Sequence, residues 1–146
     1  MTAGQWYTEI DHTADVGLKI RGATLSDLFV HAAEGMTDLI CQDDLPWDDR
    51  EREPDRQEIT LESESIEELL HEWLGELLYL HTTRNSIYTK YTIPSIDKTH
   101  LKAEIGGFHY TEDDIHHLME IKAVTYHQLN VEQSDSGYTA QVIFDI

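Results

Sequence analysis

The stretch SIEELLHEWLGELLYLH, residues 65–81, repeats its apolar side chains at three-and-four spacing: Ile66, Leu69, Leu70, Trp73, Leu74, Leu77 and Leu78. That period lines them along one face of a helix, while Glu67, Glu68, Glu72 and Glu76 fall elsewhere on the wheel. Ser65 with Glu68 three positions later is a capping-box signature that starts the helix. Gly75 sits on the side opposite the apolar face. A mid-helix glycine costs roughly 1 kcal/mol relative to alanine, so either something approaches that back face closely or the loss is simply tolerated.

After His81 the period falls to two. Ile87, Tyr91 and Ile93, then Leu101, Ala103 and Ile105, then Ile121 to Val131, then Tyr138 to Ile146 read as four strands. Asp135-Ser136-Gly137 turns the last two into a hairpin. Toward the N-terminus, Val16, Leu18 and Ile20 alternate as a half-buried strand closed by Gly22. Thr24 caps a first helix, with Asp27 in its first turn and Leu25, Leu28, Phe29, Ala32, Ala33, Met36, Leu39 and Ile40 on one face, ending near Cys41. Ile59 and Leu61 suggest a short strand. The order strand, helix, strand, helix, then a run of strands implies α+β: two helices packed on one face of a largely antiparallel sheet, as a single domain over residues 1–146. From Gln42 to Arg56 the chain is charged and carries Pro46 and Pro54, so it reads as an exposed loop, with Trp47 either pinning it to the body or contacting a partner.

A formal charge of −19, from 29 acidic against 10 basic residues, opposes direct binding to nucleic acid, whose affinity rests on cations displacing counterions from phosphates. The acidity suits a solvated surface or electrostatic steering toward a basic partner. Lone Cys41 forms no internal disulfide, and Met1 to Thr8 lacks a basic n-region and an apolar h-region. A reducing, cytoplasmic location with no membrane association is the expectation.

Ala140, Val142, Phe144 and Ile146 alternate as a buried face would, so the end of the chain is expected to be held in place rather than frayed. Asp145 then projects from the opposite face, and the main-chain carboxylate follows at Ile146. Bringing Asp15 of Asp11-His12-Thr13-Ala14-Asp15 alongside converges three anionic groups, whose mutual repulsion a hard divalent cation would relieve through oxygen ligation. Ca²⁺ is the first expectation, with Mg²⁺ or Mn²⁺ as alternatives. Taken alone, the Asp11 motif is also explained by an Asx-type turn leading into a strand.

Strand parity places Lys122 and His127 on opposite faces if the strand is regular, so only one can reach a shared site. Lys122 reads as a solvated lysine, or as a cation that pairs with a nucleotide phosphate or neutralises the acidic cluster, and His127 as a structural histidine or a partner contact. His12 is left beside the ion rather than on it, since hard cations favour oxygen, and Asp11 is kept as a nearby contact. His109, His116 and His117 lack the paired cysteines or ligand spacing of a zinc site. No phosphate-binding loop of the Lys-Ser/Thr type and no Gly-x-Ser-x-Gly elbow occurs. Cys41 reads as core packing.

Three segments together, Asp11 to Asp15, Lys122-Ala123-Val124-Thr125-Tyr126-His127 and Phe144-Asp145-Ile146, resemble the archease family. The resemblance extends to Gly22-Ala23-Thr24-Leu25, Ala32-Ala33-Glu34-Gly35-Met36 and Trp73-Leu74-Gly75-Glu76-Leu77-Leu78-Tyr79-Leu80, and so covers essentially the whole chain apart from residues 42–56 and 109–117. It implies an accessory factor, not itself an enzyme, that assists an RtcB-type tRNA-splicing RNA ligase. Such a factor promotes guanylylation and multiple turnover of the ligase and can broaden its nucleotide use. It also implies a metal held by Asp15, Asp145 and the main-chain oxygen of Ile146, with RNA met only through the ligase. The competing readings are a stand-alone metal-dependent hydrolase, for which no base and nucleophile set is recognisable, and a chaperone-like interaction protein.

Overall fold

The computed structural model describes residues 6–11, 15–42 and 52–146, with the backbone alone for 9–11. The Thr24 side chain accepts the Asp27 N–H at 3.1 Å and starts helix α1 (Leu25–Cys41). Ser65 does the same for the Glu68 N–H at 3.2 Å and starts α2 (Ile66–Arg84). Asn85 closes α2 in the left-handed region (φ 51°, ψ 54°), its N–H donating to the His81 carbonyl. The predicted apolar faces are the buried ones: Leu28, Phe29, Ala32, Ala33, Met36, Leu39 and Ile40 on α1, and Leu69, Leu70, Trp73, Leu74, Leu77 and Leu78 on α2. The buried Trp73 indole donates to the Phe29 carbonyl at 2.9 Å, so the two helices share a satisfied polar contact inside the core.

The strands divide into two antiparallel sheets. The larger contains β1 (Tyr7–Asp11), β2 (Asp15–Gly22), β6 (Ala123–Val124), β7 (Asn130–Ser134) and β8 (Gly137–Asp145). Its order is β1-β2-β8, with β6 and β7 both pairing to the far side of β8. The smaller sheet contains β3 (Pro54–Glu62), β4 (Ser86–Ile96) and β5 (His100–His109) in the order β3-β5-β4. Helix α1 packs on β2 and β4, and α2 on β4 and β6, so the helices serve both sheets at once. The fold is α+β, and the expected single sheet is two.

Three local expectations change, and a fourth, left open at Gly75, is decided. Residues 54–56, read as exposed loop, open β3, and Asp55 is only 3% exposed; Trp47 lies outside the described residues. The span 121–131 is not one strand: Gln128 takes a positive φ of 55°, and β6 and β7 lie on either side of the break. Residues 109–117 hold a short helix α3 (Glu112–Ile115), whose Asp114 pairs with Arg52. Nothing approaches within 4 Å of where a Gly75 Cβ would stand, so the isolated fold tolerates the glycine's cost of roughly 1 kcal/mol without a packing reason.

Candidate functional site

Asp15 opens β2 and Asp145 ends β8, and the antiparallel register sets them directly opposite one another. Cross-strand partners project from the same face with Cβ atoms roughly 5 Å apart. The next row, Val16 against Phe144, faces the core, with Phe144 fully buried. Alternation therefore puts both carboxylates on the outer face. Among the described residues neither has a hydrogen-bonding or ionic partner. Asp11 ends β1 opposite Val16, which brings the two ends of its motif together in one hairpin. Its side chain and His12 lie outside the described residues.

Asp145 has a second neighbour. Ala123 of β6 pairs with it, the Lys122 N–H donates to its carbonyl at 2.7 Å, and Thr125 donates to the Ile143 carbonyl through N–H at 3.0 Å and Oγ1 at 2.9 Å. The end of β8 is thus clamped between β2 and β6. The strand-parity argument for Lys122 and His127 falls with the broken strand. Lys122 contributes its backbone to the clamp while its side chain is exposed, and His127, between β6 and β7, donates its N–H to Thr125 Oγ1. No described hydrogen bond or ion pair joins either side chain to Asp15 or Asp145. Ile146 corrects a further expectation: it is 38% exposed, and among the described residues the last core-facing row is Val16, Phe144 and Val124. Ile143, out of phase with the core face, is fully buried, so β8 is covered on both sides there.

The donor set can be tested against a metal. Among the described residues no third His, Cys, Asp or Glu joins the pair. Two carboxylates plus main-chain oxygen at Ile146 fit a hard, oxygen-seeking cation and do not fit zinc.

One polar cluster lacks a motif. Asp55 accepts from Ser86 Oγ at 2.6 Å, Tyr88 OH at 2.7 Å, Gln57 Nε2 at 2.7 Å and Arg84 Nε at 3.0 Å. Burial works to raise its carboxyl pKa, but the hydrogen bonds from Ser86, Gln57, Tyr88 and Arg84 outweigh it and hold the group well below the usual carboxylate range. Burial, then the bond to Asp55, pushes the Tyr88 phenol up. Three of these donors converge on Oδ2 and Gln57 on Oδ1, so the cluster ties β3 to the end of α2 and to β4. The signal was in the strand parity: Asp55 and Gln57 are in phase with Ile59 and Leu61.

Comparison with known proteins makes the class of this α+β molecule explicit. The family model of the archease protein family (MTH1598/TM1083) matches residues 7–146. The archease of Methanosarcina mazei is 34% identical over 98% of this chain and 97% of its own. That of Methanopyrus kandleri is 31% identical over 96% and 99%. The solution structure of protein 1598 of Methanobacterium thermoautotrophicum, 32% identical, superposes with a TM-score of 0.67 over 96% of this chain and 98% of that one. The crystal structure of an archease from Thermotoga maritima, described as a possible chaperone, is 20% identical and superposes with a TM-score of 0.64, a likeness of fold. This chain belongs to the archease family.

Proposed function

We propose that this protein is a non-enzymatic, metal-binding accessory factor that activates an RtcB-type RNA ligase in tRNA splicing, acting in the cytoplasm, promoting guanylylation and multiple turnover and broadening nucleotide use. The observation that carries the reading is the register that sets Asp15 against Asp145 on an outer face, with no cation among the described residues to balance them. Asp15, Asp145 and the main-chain oxygen of Ile146 would hold the ion, Ca²⁺ foremost and Mg²⁺ or Mn²⁺ as alternatives. When bound it would supply positive charge to phosphate oxygens at the ligase's nucleotide site. The chain's own residues do the rest. The β2 and β6 pairings hold Asp145 in place, and the formal charge of −19 steers encounter with a basic RNA-binding surface while disfavouring direct contact with RNA. Among the described residues no helix is long and apolar enough to cross a membrane.

The test is a multiple-turnover ligation with GTP, the ligase and a cleaved tRNA substrate. Asp15→Ala and Asp145→Ala, each folded by circular dichroism, should lose at least about tenfold of the stimulation, the size expected when a carboxylate is removed from a metal site. Undiminished stimulation by either variant contradicts the reading.

A further inference from the structure

The outer side of α2 carries an open strip with an exposed aromatic ring at either end. His71, Gly75 and Tyr79 follow one another at four-residue intervals, about 6 Å apart along the axis, on the side away from the buried Leu70, Trp73 and Leu77. Space above Gly75 is open. Two aromatic rings flank that low strip. Tyr79 is 61% exposed, and Tyr126, 63% exposed, stacks on the His71 ring at 3.8 Å between centroids. The His71 Nε2 faces the Val124 carbonyl at 2.8 Å, and since a carbonyl only accepts, that nitrogen carries the proton and fixes the ring under Tyr126. The floor is therefore rigid, and through Val124 it continues into β6, the strand that clamps Asp145. Glu68 and Glu72 are exposed beside the strip.

We propose that this face, centred on Gly75 between Tyr79 and Tyr126, is where a protein partner docks through a cationic surface. The choice of occupant follows from charge. Glutamates around the strip and a formal charge of −19 repel nucleic acid and a second copy of this chain, and attract lysine and arginine, whose heads also sit favourably over tyrosine rings. Exposed tyrosines, one of them held by stacking on His71, beside the open position at Gly75 are what a partner's side chains need to seat closely. The proposal rests on the functional reading in one respect, that the partner is the RtcB-type ligase.

Binding of the full chain to purified ligase, measured by calorimetry at low and physiological salt, tests this alongside the ligation assay. Gly75→Leu fills the strip, and because the space is open in the isolated fold it should not lower the melting temperature. Tyr79→Ala removes one flank at an exposed position. Each should weaken ligase binding at least tenfold, with the wild-type affinity falling as salt rises. If the wild-type protein binds and stimulates the ligase but both variants bind equally well, the docking face is overturned and the functional reading stands. If the wild-type protein neither binds nor stimulates, the functional reading and the ligase as occupant fall together. A self-association that Gly75→Leu abolishes would assign the face to a second copy and overturn the proposal.

Discussion

Replacing Asp55 by alanine should cost about 3 kcal/mol of folding free energy, or roughly 10 °C in Tm for a chain of this size. The loss falls mainly on Tyr88, which is 3% exposed and has its hydroxyl aimed at Asp55. Ser86 keeps the Arg84 carbonyl at 3.2 Å and His109 Nδ1 at 3.0 Å, so its hydroxyl is not orphaned. Asp55→Asn, which retains acceptor oxygen but not charge, should cost less. The pH dependence has a definite sign. The folded pKa lies below the unfolded one, so the stabilisation is fully present above about pH 4 and is lost as pH falls toward the folded value. Denaturant midpoints of wild type and Asp55→Ala should therefore differ most near neutrality and converge in acid. A gap that stays constant with pH would mean that the ionised carboxylate is not its source.

Gly107→Ala should be at least as damaging, at or above the ~3 kcal/mol end of overpacking costs. Gly107 of β5 lies in one row with Asp55 of β3 and Tyr88 of β4. Its missing side chain leaves the gap through which the Tyr88 phenol reaches across β5 to Asp55. A Cβ there would stand 1.8 Å from the Ile87 carbonyl oxygen and 2.7 Å from the Tyr88 Cα, and backbone atoms cannot rotate away. The neighbouring Gly106 supplies the control: its nearest atom would be the Lys90 Cβ at 3.9 Å, an ordinary contact, so Gly106→Ala should fold as well as wild type. Chemical denaturation of the two variants separates them. Equal stability would show that β4 yields easily at this row, contrary to the packing described.

The N-terminal ends of both long helices were legible because amphipathic period and capping chemistry agree: Thr24 and Ser65 each bond the N–H three residues on, whereas α2 runs three residues past His81 to Arg84. The antiparallel β7–β8 hairpin followed from Asp135-Ser136-Gly137, with Gly137 at a φ of 130°. Two of the misses share one cause, that residue type does not report which strand is a neighbour. A run of apolar residues from Ile121 to Val131 looks like a strand whether or not Thr125 and Gln128 interrupt it, and the division into two sheets depends on pairings remote in sequence. Tyr7–Asp11 went unread because its alternation is short and polar. Asp55 was assigned to solvent by the charge of its surroundings although its phase with Ile59 pointed inward. The opposition of Asp15 and Asp145 was anticipated, whereas the clamp by β6 that holds Asp145 was not.

The central claim is that Asp15 and Asp145 share one ion. Calorimetric titration of Ca²⁺ into the untagged protein, with Asp15→Asn and Asp145→Asn measured alongside, tests it most directly. The account predicts one ion per chain in the wild-type protein and at least about tenfold weaker binding in each variant, with the fold unchanged because neither side chain packs against the core. Absence of binding by the wild-type protein to Ca²⁺, Mg²⁺ and Mn²⁺ alike, or binding that survives both substitutions, would contradict it.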